Sequence, residues 1–445
     1  MSTTALLNVE SLSKQNVDQD KVFYHNAKPL IHYPTDLNNH ENNTPLQFDY
    51  IPEVASQTYK YGGNSIEIKI DSSVDFQRRW ELIYTRTTDQ SGTWTTHTPS
   101  FLDFEGQSSI LDVTIQSANL PNPVVIRGED LKFDLLMKSD HSTRELAAKQ
   151  SFGLLKKRER QELTNPTKSM YQTVCVDLNV PWDRLDRVLP TFNMSAQMSV
   201  RIRFKPLSEC CKNSLNANFT IVNPIIRVTG HMTSAEFKSD IVKRLQSPLG
   251  IPLKWITHEF HAGDTKFSIF GNTAGNKVVL PLQNIRSNAV SLYFTLHLQA
   301  DINDNTRLIT TNFQKCSRYY LMSGTQHLTP KYSMNDGILN PGTTVSDYHT
   351  KTMHRRAYPN AMNGLDVGVI HFVMDELVHD TKFASYGGKG LGYYPNLQLV
   401  LEFDNGVRDY QGNNDFTNLY CNVKTDINQV ISYKDGYVKL FIEQV

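Results

Sequence analysis

His258, Glu259 and His261, in the run HEFH, bring two imidazoles and a carboxylate together, with Asp264 close behind. That donor set suits a divalent transition metal. A zinc-protease helix needs its two histidines four apart, on one face. Here they are three apart in a stretch that reads as a strand, where such positions point to opposite faces. No metal ligands are assigned. Gly387, Gly388, Lys389, Gly390 and Gly392 hint at a phosphate loop. A phosphate loop follows its lysine with Ser or Thr and then a helix. Lys389 is followed by Gly390, and Pro395 opens a strand, so this stretch reads as a flexible connection. The G-x-S-x-G elbow of a serine hydrolase is missing. Acidic residues are scattered over loops, and no two stand out as a glycosidase pair. The expectation is a protein without catalytic, cofactor-binding or metal-binding residues.

Two basic stretches remain. Lys351, His354, Arg355 and Arg356 fit a phosphate, an acidic neighbouring subunit, or a solvated loop. LLKKRERQ (154–161) lies in a predicted helix from His141 to Leu163, opened by Ser142 and Glu145 in capping-box spacing. Glu159 and Glu162 dilute its charge, which favours an exposed face. The five cysteines (Cys175, Cys210, Cys211, Cys316, Cys421) show no CxxC spacing. Reduced thiols are expected, since adjacent Cys210 and Cys211 fit disulfide geometry badly.

The elements that position these residues are strands. Hydrophobic residues are 39% and charged residues 20% of the 445, which describes a folded chain. Lys plus Arg and Asp plus Glu are 45 each, so the bulk positive excess of a protein that wraps nucleic acid is missing. No specific nucleic-acid binding is expected. The first residues lack a cationic start and apolar run, and no apolar stretch is long enough to span a membrane. The sequons at Asn42, Asn193 and Asn218 are therefore read as unmodified.

Residues 1–50 read as an extended or mobile arm. Strand signals follow at Ser65–Ile70, Arg79–Thr87, Ile110–Ile115, Val124–Arg127, Leu131–Met137 and Asn218–Thr229. A helix is predicted from Ala235 to Gln246, capped by Ser234 and ended by Pro248 and Gly250. The pattern restarts with Lys254–Phe260, Lys266–Phe270, Lys277–Leu282, Ala289–Leu298 and Arg318–Met322. After a long polar loop (Ser323–Ala361) come Val367–Met374, Asn396–Phe403 and Leu419–Val423. A hairpin around Asp435-Gly436 closes the chain. Strands without intervening helices indicate antiparallel sheets. The fold class is all-β: two consecutive eight-stranded jelly-roll sandwiches with a few short helices in connections. The expected division is 1–50 arm, 51–232 first sandwich, 233–251 linker helix and 252–445 second sandwich.

Tyr171 to Pro206 is the most informative stretch. Val174, Val176 and Leu178 alternate in one strand, and Val200, Ile202 and Phe204 in another. On its own the pair suits any antiparallel sandwich. Trp182, Leu185, Val188, Leu189 and Pro190 make the connection apolar, hence packed. Trp182, Leu189 and Pro190 are expected to brace a connection between two sheets or a subunit contact beside it. Pro395, before the strand Asn396–Phe403, is placed in the same structural class.

In layout the chain resembles the double jelly-roll major capsid proteins of icosahedral DNA viruses, the lineage of adenovirus hexons, virophages, nucleocytoplasmic large DNA viruses and tailless phages. The resemblance rests on Val176 to Pro181, Val188-Leu189-Pro190 and the strand Val200–Phe204. It continues through Val222–Thr229, the helix Ala235–Gln246, and IHFVMDEL (370–377) followed by YYPNLQLVLEF. One departure is that Pro395-Asn396-Leu397 stands where the family has N-x-S. The resemblance implies a homotrimer of pseudo-sixfold shape tiling an icosahedral shell. It implies neighbouring capsomers, pentons and minor capsid proteins as partners, and a place in the virion after assembly inside the host cell. The alternative is a carbohydrate-binding or carbohydrate-active β-sandwich, which needs exposed aromatic platforms and a carboxylate pair in a cleft.

Overall fold

In the computed structural model, alternation along the chain becomes two pairs of antiparallel sheets. The structure describes residues 44–440 apart from 55–57, 89–99, 102–103, 139–171, 183–188, 213–217, 246–250, 270–275, 283–287, 299–315, 334–367, 373–388, 392–393, 404–415 and 435.

Eight main strands build the first pair of sheets. They are β1 (Thr44–Tyr50), β2 (Ile66–Ile70), β3 (Phe76–Thr88), β4 (Ile110–Gln116), β5 (Val124–Arg127), β6 (Gln172–Asp177), β7 (Met198–Phe204) and β8 (Phe219–Met232). In β7, Met198, Val200, Ile202 and Phe204 are buried while Ser199, Arg201 and Arg203 face out; β2 alternates the same way. A period of two gives each sheet one apolar face, and that fixes the register. One sheet runs β1-β8-β3-β6 and the other β2-β7-β4-β5. The first strand therefore pairs with the eighth, the second with the seventh, the third with the sixth, and the fourth with the fifth. This is one long hairpin rolled across two sheets. Trp80, Leu82, Val176 and Val228 from one sheet meet Ile68, Val113, Val200 and Ile202 from the other in a single core.

The second half repeats the plan. Its main strands are β9 (Ile251–Ile269), β10 (Asn276–Pro281), β11 (Asn288–Leu298), β12 (Arg318–Ser323), β13 (Gln326–His327), β14 (Gly368–His371), β15 (Leu397–Phe403) and β16 (Phe416–Lys434). The orders are β9-β16-β11-β14 and β10-β15-β12-β13, the same permutation. Leu292, Phe294 and Leu296 pack against Tyr319, Leu321, Leu399, Leu401 and Phe403. Burying a side chain of this size contributes about 1.5–3 kcal/mol.

Several expectations change. Leu131–Met137 is not a strand; it lies in helix α2 (Gly128–Lys138), after the short α1 (Glu105–Ser109). Leu131, Phe133 and Leu135 do alternate, but Leu131 and Leu135 are also one helical turn apart. Glu129 and Asp130 place negative charge at the helix N-terminus. Residues 44–50 are not arm; Leu46, Phe48 and Tyr50 alternate in β1, which pairs with β8 throughout. Lys254–Phe260 and Lys266–Phe270 are not separate strands, because β9 runs on through register shifts near Ala262. Leu419–Val423 and the first arm of the closing hairpin likewise merge in β16. The predicted helix His141–Leu163 lies outside the described residues. The long loop opens with described short strands, Gln326–His327 and Tyr332–Ser333, both paired to β12. The helix Ala235–Leu245, here α3, forms as expected, and Ser234 Oγ accepts the Phe237 N–H at 3.3 Å.

Candidate interface site between the two sandwiches

The stretch from β6 to β7 crosses from one sheet to the other, so its two strands do not pair: β6 pairs with β3, and β7 with β2 and β4. The crossover is packed along its described length. Leu178 and Val180 are buried, and Leu178 N–H donates to the Trp80 carbonyl at 2.9 Å. Trp182 is 2% exposed and meets Trp80 edge-on, with ring centroids 5.2 Å apart. Leu189 and Pro190 are buried and pair with Gln77 and Phe76 at the start of β3. Pro190 ends that short ladder, where a missing N–H is tolerated. Thr191 N–H then donates to the Asp75 carbonyl at 2.8 Å. Leu185 and Val188 lie outside the described residues. Pro395 is different. It is exposed, and its carbonyl accepts the Ser323 hydroxyl at 2.7 Å beside Asn396, which takes a left-handed φ of 52°.

Asp75 ties this crossover to α3. Its carboxylate accepts the Thr233 N–H at 2.9 Å and pairs with Lys238 at 2.7 Å. Phe237 packs on Phe76 at 5.9 Å, and Ile241 is buried in the first core. The helix between the halves is thus held by the first sandwich.

The two sandwiches meet at residues that the sequence reading missed. Phe133 of α2 packs edge-on against Tyr293 of β11 at 5.2 Å, with Val369 of β14 beside them. Tyr293 and Val369 point away from their own core, so the first sandwich covers the outer face of the β9-β16-β11-β14 sheet there. Asn119 Nδ2 donates to the Gly436 carbonyl at 2.8 Å, in a buried bond. Gly436 has φ +80°, and a Cβ there would lie 2.2 Å from the Asn193 carbonyl oxygen. Only glycine satisfies both the turn and this approach. The Asp435-Gly436 turn signal was legible in sequence; its contact partner was not.

Electrostatics at the end of the first sandwich centre on Arg86 and Glu105. They pair at 2.7 Å, and Phe101 and Phe219 stack on the guanidinium at 4.4 and 4.9 Å. Burial pushes the Glu105 carboxyl up to about 7 despite the arginine beside it. In the second sandwich Glu402 accepts from Tyr320 and Lys331 at 2.9 and 2.8 Å. Burial would raise its pKa, but these hydrogen bonds outweigh it and hold the carboxyl below its usual range.

Among the described residues the sequence motifs do not converge on a reaction centre. His258, Glu259, His261 and Asp264 all lie on β9. Among the described residues no group of three His, Cys, Asp or Glu side chains is placed to hold a metal ion. Lys389 and Gly390 form a short strand against Asn288 and Ala289, and the other glycines of that run are outside the described residues. Lys351, His354, Arg355 and Arg356 also lie outside them. All five cysteines are free thiols, with burial raising Cys175 to about 11 and Cys210 to about 12. Among the described residues no helix is long and apolar enough to cross a membrane.

No family model matches the sequence, and no curated protein matches it. Solved structures do. PBCV-1 VP54, fitted into a cryo-EM reconstruction of the virophage Sputnik, superposes with a TM-score of 0.64 at 10% identity, over 90% of this chain and 97% of that one. The quasi-atomic model of the PBCV-1 virus capsid gives the same values. The Faustovirus major capsid protein follows with a TM-score of 0.60 at 8% identity, over 95% of this chain and 97% of that one. The fold is a double jelly roll. Both jelly rolls are present in one chain, joined through α3 and in contact through α2 and the C-terminal turn.

Proposed function

We propose that the chain is a viral major capsid protein that trimerises into pseudo-hexameric capsomers and self-assembles into an icosahedral shell. The observation that carries this reading is the double strand permutation: two jelly rolls of the same order in one chain, the fold of the Faustovirus major capsid protein over nearly its full length. Three such chains place six similar sandwiches around an axis, and closed rings are built from repeated heterologous contacts. The role is structural and not enzymatic. The partners are two further copies, neighbouring capsomers, and penton and minor capsid proteins. The protein is made inside the host cell and resides in the virion.

In this reading the first jelly roll spans 44–232, the linker 233–251 and the second jelly roll 252–445. Trp182, Leu189 and Pro190 brace the crossover between sheets, and Pro395 shapes the turn into β15. The carbohydrate alternative lacks support. Among the described residues the exposed large aromatics are Phe48 and Tyr437, one in each half and no platform. Light scattering on a sizing column tests the proposal. A particle near three times 50.8 kDa is expected; a monomer with glycan affinity contradicts it.

A further inference from the structure

A cavity of about 140 Å³ opens at one end of the first jelly roll, between the end of β2 and the segment that leads into β7. One water needs only roughly 10–15 Å³ of such space. Ile70, Met194 and Met198 supply its apolar wall, and Asp71, Ser195 and Gln197 its polar side. Ile70 and Met198 stand opposite each other in the register of β2 and β7, and both are buried. Hydrogen bonds hold the wall in shape. Thr191 N–H donates to the Asp75 carbonyl at 2.8 Å, and Met194 N–H to the Thr191 carbonyl at 2.9 Å. Asn119 Oδ1 accepts the Ala196 N–H at 2.8 Å. A wall fixed in this way loses little further freedom when a ligand enters.

Asp71 gives the cavity its charge. Its Oδ1 accepts the Tyr50 hydroxyl at 2.8 Å and the Ser73 N–H at 2.9 Å. A carboxylate has about four acceptor positions, so these two bonds do not exhaust it. Burial would raise its pKa, but the hydrogen bonds from Ser73 and Tyr50 outweigh it and hold the carboxyl below its usual range. Asp71 is therefore ionised at neutral pH. Among the described residues no Lys, Arg or His side chain pairs with it. Lys69, two residues away, is paired with Glu53 instead.

A half-buried negative charge with no cation beside it favours one from solution. The donor set is poor for a hard dication such as calcium, which collects about six to eight oxygens, commonly from several carboxylates. An ammonium group has three donors, and the Asp71 carboxylate, the Ser195 hydroxyl and the Gln197 amide oxygen are acceptors for them. Ile70 and the two methionines suit an alkyl stem, because thioether side chains adapt to the shape of what they pack against.

We propose that this cavity binds a small primary alkylammonium ion, with its nitrogen against Asp71 and its alkyl chain along Met194 and Met198.

Titration of the full-length protein, isotopically labelled at its methionine methyl groups, with butylammonium chloride at constant ionic strength tests this. The expected result is a saturable shift confined to the Met194 and Met198 methyl signals, which Met194→Leu and Met198→Leu assign. Butanol carries the same stem without the charge and is expected to give no such shift. Equal shifts with butanol, or no saturable shift with butylammonium, overturn the proposal. So does a response of these signals to calcium chloride alone. Both probes are applied to the wild type, so the comparison decides whatever the variants do. Asp71→Asn keeps an oxygen for Tyr50 and Ser73 but removes the charge, and is expected to weaken binding by about tenfold or more. A folded variant that binds butylammonium as tightly as the wild type overturns the role of Asp71 and the proposal with it.

Discussion

Trp182 is the side chain proposed to brace the link between the two sheets of the first jelly roll. Its ring fills the turn where the chain leaves β6, edge-on to Trp80 from the neighbouring strand. Trp182→Ala removes that volume from a buried site and is expected to cost about 3–5 kcal/mol. Chemical denaturation checks it; an unchanged midpoint contradicts the bracing role. Its burial was legible in sequence, as a tryptophan amid Leu and Val in an apolar connection. Glu105 was not legible. It reads as an ordinary surface acid and becomes a buried partner of Arg86 only once Phe101 and Phe219 close over the pair. Its carboxyl titrates near 7 when folded and near 4.5 when unfolded. The folded state therefore binds the proton more tightly than the unfolded chain between those values. This group's contribution is full below about pH 4.5 and lost as the pH rises through 7. Glu105→Gln is expected to remove that part of the slope, so wild type and variant should differ in how their melting temperatures change from pH 5 to 7.5. Parallel profiles contradict the assignment.

At the scale of elements, the informative case is α2. Leu131, Phe133 and Leu135 satisfy the strand period, and the segment is buried on nearly every side, so no polar stripe marks it as a helix. The acidic first turn and the four-residue spacing of the leucines were the available signal. The helix matters because Phe133 is what the first jelly roll presents to Tyr293. Phe133→Ala, with Gly436→Ala as a second lesion at the opposite contact, is expected to uncouple the halves. Calorimetry should then resolve two transitions where the wild type shows one, since domains that lose their interface unfold separately. A single transition in the double variant contradicts the view that these contacts join the two units. Strands with clean alternation, such as β2, β7 and β15, were readable nearly to the residue. β9 and β16 were cut short, because register shifts interrupt the period without ending the pairing.

For the whole molecule, the strand permutation repeats although the sequence does not. Alternation specifies which residues face a core, not which strand lies beside which, so the 1-8-3-6 and 2-7-4-5 orders were visible only in the structure. Repeating that order within one chain makes two similar building blocks from one polypeptide, and a ring of such chains can approach sixfold shape with threefold symmetry. Negative-stain imaging of the purified full-length protein tests this most directly. The account predicts particles of hexagonal outline with threefold class averages, alone or tiled into shells. Uniform two-lobed monomers at every protein concentration and ionic strength would contradict it.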